Sequence, residues 1–186
     1  GGGAGRDRSP AVRRLRRRAV VSLLAVPILV DGLAGVAEAL ELAAAAAERG
    51  ADLVEWRVDP LAAEPDRSAA AAAVTRLLRE SPRPAILTCR DAGEGGAAEI
   101  DDEDRAILLE ALLERGPGPR PRYVDLEWAA WTRSPRLRQA VLGLLGRGGE
   151  GGGGGDRDPD APRLILSSHW FEGRPADLWS RVAAMA

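Results

Sequence analysis

The sequence predicts an α/β fold built on a parallel sheet, and three observations carry that expectation. Short β-rich apolar runs alternate along the chain with longer helical stretches, the rhythm of βαβ units. Right-handed crossovers between parallel strands then leave two architectures, a doubly wound sheet or a barrel. Four of the strand-like runs also turn polar near their carboxyl ends, on one face only. Helical crossovers cover both faces of an open parallel sheet, whereas the inner face of a barrel ends in a cavity. A barrel is therefore the expected form.

The first strand is read from Ala19 to Val30 (AVVSLLAVPILV), with a turn at Asp31-Gly32. An alanine-rich helix follows from Leu33 to Arg49, with Leu33, Val36, Leu40 and Ala44 on one face and Gly50 as its stop. Asp52 to Asp59 (DLVEWRVD) forms the second strand, closed by Pro60. Ser68 to Glu80 is the next helix, with Ser68 as its N-cap. Pro84 to Arg90 (PAILTCR) is the third strand, and a polar, glycine-rich loop from Asp91 to Ala98 leads to a helix over Asp101–Arg115. The fourth strand is Tyr123–Glu127, followed by a short helix from Pro135 to Leu145. The run Leu164–Phe171 (LILSSHWF), set between Pro162 and Gly173, is the fifth strand, and a last helix spans Pro175–Ala184.

Two stretches stand outside this rhythm. Residues 1–18 are rich in Gly and Arg with Asp7 as their one acid, and are expected to form a disordered tail. A targeting remnant or a nucleic-acid-binding arm are the alternatives there. Residues 146–162 form a glycine-rich insert that lacks Gly-Lys-Ser/Thr and follows no strand, so it is not a phosphate loop. Residues 19–186 are thus expected to make one partial (β/α) barrel domain interrupted by that insert.

Composition narrows the function. A chain of 186 residues is short for a complete eight-fold barrel, which typically needs ~250. Net charge is −2, giving no electrostatic case for a nucleic-acid partner. No run is long and apolar enough to suggest a membrane span. All 26 basic residues are arginine, so no lysine amine is available as a nucleophile within this chain. The single Cys89 precludes an intramolecular disulfide and suits a reducing compartment, with a cytoplasmic location expected, or a plastid in a photosynthetic source.

Side chains alternate along a strand, so Leu53, Glu55 and Arg57 share a face, as do Thr88 with Arg90, Asp125 with Glu127, and Ser167 with His169. Taken singly, His169 could merely finish a strand; the agreement of the four ends favours a cavity. Arg57 and Arg90 suit a small carboxylate-bearing ligand, because guanidinium forks grip carboxylates and stay charged. They would also satisfy Glu55 and Glu127 if these are buried together. His169, the only histidine, suits proton transfer in both directions near neutrality, and Glu94 in the loop after the third strand could orient it. One His and one Cys are too few for a metal cluster, and no metal is expected. The set fits proton abstraction beside a carbonyl or a related elimination.

With those pieces in place the chain resembles the type I 3-dehydroquinate dehydratases of the shikimate pathway, the route to chorismate and the aromatic amino acids. The matching segments are Glu55-Trp56-Arg57-Val58-Asp59, Thr88-Cys89-Arg90 with Glu94-Gly95-Gly96, Asp125-Leu126-Glu127, and Ser167-Ser168-His169-Trp170-Phe171. The resemblance implies a parallel (β/α)8 TIM-type barrel, of which this chain carries about the first five βα units. It also implies cofactor-free dehydration of 3-dehydroquinate to 3-dehydroshikimate, through a Schiff base between a lysine and the substrate ketone. By position His169 corresponds to the proton-moving histidine and Glu94 to the carboxylate near it, while Glu55, Arg57 and Arg90 correspond to substrate-binding residues. The family often places a substrate-contacting serine on the first strand, which Ser22 matches; in the other register Pro27 takes its place. Family members are often homodimers. The Schiff-base lysine belongs to a sixth strand, for which this sequence has no counterpart, so the chain is expected to be an inactive fragment of the enzyme. The alternatives are a non-catalytic half-barrel that holds a small carboxylate ligand, or another acid–base barrel such as an aldolase or isomerase.

Overall fold

The computed structural model describes residues 22–116, 118–146 and 161–185. The tail at 1–18 and most of the glycine-rich insert lie outside the described residues. Five strands, β1 (Ala25–Leu29), β2 (Leu53–Arg57), β3 (Ala85–Thr88), β4 (Tyr123–Glu127) and β5 (Arg163–Ser167), form one sheet in sequence order. Every neighbouring pair is parallel. The connections carry α1 (Val36–Glu48), α2 (Asp59–Ala62), α3 (Arg67–Glu80), α4 (Asp102–Glu114), α5 (Trp128–Arg133) and α6 (Pro135–Gly146), and α7 (Leu178–Met185) follows β5. Consecutive strand order with one sense of pairing gives an arc of a barrel rather than a doubly wound sheet. The arc is open: β1 and β5 are its edges.

Register explains why one face is a core and the other is not. Ile28 pairs with Trp56 and Trp56 with Leu87, so these side chains share the outer face beneath the helices. Val54, Val58, Val124 and Leu126 join them, all buried. Burial of that apolar surface is the main force holding helices to sheet, worth roughly 1.5–3 kcal/mol per large side chain. Alanine on the helices lets them approach closely: Ala39, Ala43, Ala70, Ala71 and Ala73 are all buried. The inner face runs the other way. On β1, Ala25, Pro27 and Leu29 point inward and are exposed.

Several boundaries differ from the sequence reading. The face that α1 buries is Val36, Ala39 and Ala43, whereas Ala44 is exposed and Leu33 precedes the helix. The N-cap of α3 is Asp66, whose side chain accepts from the Ala69 amide at 2.9 Å; Ser68 lies inside the first turn. A carboxylate there also complements the helix dipole. The short helices α2 and α5 were not expected; Pro60 falls in the first turn of α2, where its missing N–H is no loss. The last helix begins at Leu178 rather than Pro175, and β5 ends at Ser167, two residues before His169. No helix among the described residues is long and apolar enough to cross a membrane.

Candidate active site

Parallel strands send all their carboxyl ends to one rim, and the inner face changes character on the way there. Toward the amino ends it carries Leu53 and Ile86; toward the carboxyl ends it carries Arg57, Thr88, Asp125, Glu127 and Ser167. Arg90, two residues past β3 and 6% exposed, is the hub of that rim. Its Nη1 donates to Ser167 Oγ at 3.0 Å and lies 2.7 Å from His169 Nδ1. Its Nη2 lies 3.1 Å from Asp125 Oδ2 and 3.6 Å from Glu55 Oε1, and Nη1 is 3.6 Å from Glu127 Oε1. One guanidinium thus faces three carboxylates and the histidine, an arrangement that leaves no buried acid without a cation nearby.

The loop after β3 supplies the histidine's partner. A 3-10 turn at Ala92–Glu94 is capped by Asp91, whose side chain accepts from Gly93 N, and Gly95 then takes a left-handed conformation at φ 89°. That left-handed backbone favours glycine, and a Cβ there would also sit 2.7 Å from the exposed ring of Phe171, on the segment that carries His169. Glu94 Oε2 accepts from the His169 amide at 2.7 Å and lies 3.1 Å from His169 Nδ1. The half-exposed imidazole is therefore held from two sides, by Arg90 and by Glu94.

Arg57 is anchored differently. Its Nε and Nη2 form a fork on Asp59 at 3.0 and 2.7 Å, and Nη2 also donates to the Gly95 carbonyl at 3.0 Å. Asp59 is fully buried and accepts further from Arg90 N and Ala97 N. Burial alone would raise its pKa, but the Arg57 fork and the two backbone amides outweigh burial and hold the carboxyl below its ordinary value. Glu127 is clamped from behind by Arg105 of α4, which is 1% exposed and also donates to the Cys89 carbonyl at 2.8 Å. Glu127 Oε1 accepts from the Asp91 amide at 3.1 Å, tying the Glu94 loop to β4. The Cys89 thiol faces the helices, and burial pushes it up to about 12, which makes it a poor nucleophile.

Asp125 behaves unlike Asp59. Burial pushes its carboxyl up to about 6, against the pull of Arg90 and of the Ser167 hydroxyl that donates to it at 3.0 Å. A folded pKa above the unfolded value of about 3.9 means that the native state binds the extra proton between those two values. Its contribution to stability is therefore greatest below about pH 4 and declines as pH rises through about 6. Comparing the protein with its Asp125→Asn variant by denaturant midpoint should show this. Relative to the variant, the native protein is expected to lose up to roughly 3 kcal/mol between pH 4 and 7. A pH-independent difference would show that Asp125 titrates alike in both states.

The structure thus brings Glu55, Arg90, Glu94 and His169 together, with Arg57 beside them on the Asp59 fork. Ser22 is set apart: it lies three residues before β1, exposed, at the end of the arc opposite His169. In the β1–β2 register it is Pro27 that stands beside Glu55. Asp59, Arg105, Asp125 and Ser167 were not singled out as site residues. Asp59 had a signal, since it is two residues from Arg57 and so continues the same strand face. Arg105 had none, because an arginine among helical acids reads as a solvated helix face. Among the described residues no group of three or more His, Cys, Asp or Glu could hold a metal ion.

Comparison with known proteins places the fold in a family. The family model for type I 3-dehydroquinase matches residues 25–141. The 3-dehydroquinate dehydratase of Methanosarcina barkeri is 39% identical over 139 residues, covering 75% of this chain and 50% of the relative. That of Methanosarcina acetivorans is 40% identical over 137 residues, covering 74% and 49%. The chain spans about half the length of these curated relatives. Among solved structures, 3-dehydroquinate dehydratase from Geobacillus kaustophilus superposes with a TM-score of 0.62 at 21% identity, over 87% of this chain and 55% of that one. The type I enzyme from Clostridium difficile gives 0.61 at 20% identity, over 88% and 57%. These solved structures share the fold of the arc, and the family match covers most of its strands. The chain belongs to the type I 3-dehydroquinase family.

Proposed function

We propose that these residues form the proton-transfer and carboxylate-gripping side of a 3-dehydroquinate dehydratase. The observation that carries this reading is the convergence of His169, Glu94 and Arg90 at the carboxyl rim of an arc from this family. In such an elimination the imidazole of His169 takes a proton from the carbon beside the substrate's activated carbonyl. The imidazolium then returns a proton to the departing hydroxyl, which leaves as water, so one group serves both steps. Glu94 holds the ring through its backbone amide and its Nδ1. Arg57, whose Nη1 has no partner among the described residues, is placed to receive a substrate carboxylate or hydroxyl. On this reading Ser22 makes no contact with substrate. The imine-forming amine must come from outside residues 1–186, because these contain no lysine.

Borohydride trapping tests the division of labour. With 3-dehydroquinate, residues 1–186 are expected to gain no substrate mass on any side chain. A chimera that continues after Ala186 with the remaining barrel strands of a curated relative should gain one reduced adduct, on a lysine of the added part, and should turn over. A side-chain adduct within residues 1–186, or a folded chimera without dehydratase activity, would overturn the proposal.

A further inference from the structure

The contacts around His169 Nδ1 make incompatible demands. Arg90 Nη1 lies 2.7 Å away and Glu94 Oε2 lies 3.1 Å away, both from the same ring nitrogen. A guanidinium can only donate, so its contact needs a lone pair on Nδ1; a carboxylate accepts, so its contact needs a proton there. A neutral imidazole satisfies one or the other. Two features decide the ligand-free state. The Arg90 contact is the shorter, and Glu94 Oε2 already has a donor in the His169 amide at 2.7 Å. Arg90, in turn, is pinned by Ser167 Oγ and Asp125, which aim one remaining Nη1 hydrogen at the ring. These contacts favour a resting ring with its proton on Nε2 and its lone pair under Arg90. In that state the outward nitrogen is a donor and cannot accept a proton.

We propose that Arg90 is a ligand-released lock on the tautomer of His169. An anionic oxygen entering the rim draws the Nη1 hydrogen from the ring, since a guanidinium binds an oxyanion more strongly than a neutral nitrogen. Nδ1 then takes a proton from solvent water and donates it to Glu94 Oε2, while the Nε2 proton passes to water. The proton count of the ring is unchanged, and Nε2 becomes the acceptor. The base is thereby competent only when a ligand is present. Arg90 acts here through His169 and is in this respect a positioning residue. The inference rests on the proposed function for the nature of the ligand, but its central observable, the resting tautomer, does not.

His169 is the only histidine, so selective 15N-histidine labelling gives a single pair of ring signals. In residues 1–186 without ligand, the expected pattern is a protonated Nε2 and an unprotonated Nδ1. Saturating quinate, a hydroxylated ring carboxylate without the ketone, should invert that pattern. Arg90→Met should show the inverted pattern with no ligand at all. Glu94→Ala, at a partly exposed position that leaves the buried ion pairs intact, removes the acceptor for a protonated Nδ1 and should bind quinate without inverting. A protonated Nδ1 in the free protein overturns the lock, whatever the variants do. Quinate that binds and leaves the tautomer unchanged overturns it too, while sparing the proposed function. If quinate fails to bind residues 1–186, the lock is decided by the resting tautomer and by Arg90→Met, whereas failure to bind a folded chimera counts against the proposed function.

Discussion

In a chimera that adds further barrel strands after Ala186, His169→Ala should slow turnover by ~10²–10⁴-fold while borohydride still traps the substrate on the added lysine. The two readouts separate because they report different chemistry. Imine formation needs an amine and a bound ketone, whereas the elimination needs a base at the adjacent carbon and an acid for the departing hydroxyl. Nothing in this arc besides His169 combines an exposed ring nitrogen with the rim position. Cys89 faces the helices with its thiol held protonated, and Glu94 is occupied by the His169 backbone. The loss should be larger if the same imidazole also assists formation or hydrolysis of the imine. The measurement is kcat alongside the mass of the reduced adduct. Unimpaired turnover would remove His169 from the proton path, and loss of the adduct with a normal fold would assign it to imine chemistry instead.

How far the sequence alone reached depends on which force set each feature. Strand positions were legible because apolar runs such as Ala85–Thr88 and polar strand ends such as Asp125–Glu127 follow the two-residue period of a pleated strand. The buried face of α1 was not, because a run of alanines offers little contrast: a stripe drawn through Ala44 scores about as well as one through Ala43. The order of the site residues was legible, but their partners were not. That Arg57 would spend its fork on Asp59 follows from a short-range spacing that was available. That Arg90 would reach Asp125 and Ser167 depends on strands far apart in sequence becoming neighbours, which only the pairing register fixes. Ser22 and Pro27 stood as alternatives for a related reason. An apolar run containing both Ser22 and Pro27 admits two registers, and the pairing with β2 selects the one with Pro27 beside Glu55.

Replacing Arg105 should cost more stability than replacing any other charged side chain of the arc. Arg105 and Glu127 are each 1% exposed, and the guanidinium also serves Cys89 O and Asp102. Arg105→Met removes the charge and keeps much of the stem, so packing loss is modest. It leaves Glu127 buried with only the more distant Arg90 and one backbone amide, and breaking a buried pair from one side typically costs 3–5 kcal/mol. Most of that cost is the uncompensated carboxylate. The double variant Arg105→Met/Glu127→Gln should therefore recover roughly half of the loss, since a neutral amide needs no cation. Denaturant midpoints of the protein and these variants at neutral pH provide the measurement. A double variant no more stable than Arg105→Met would mean that α4 is held by the arginine stem rather than by the ion pair. If instead the pair is what fixes α4 and the Asp91 amide, the Arg105→Met protein should also hold Glu94 less firmly against the His169 backbone, through the Glu127 contact to the loop.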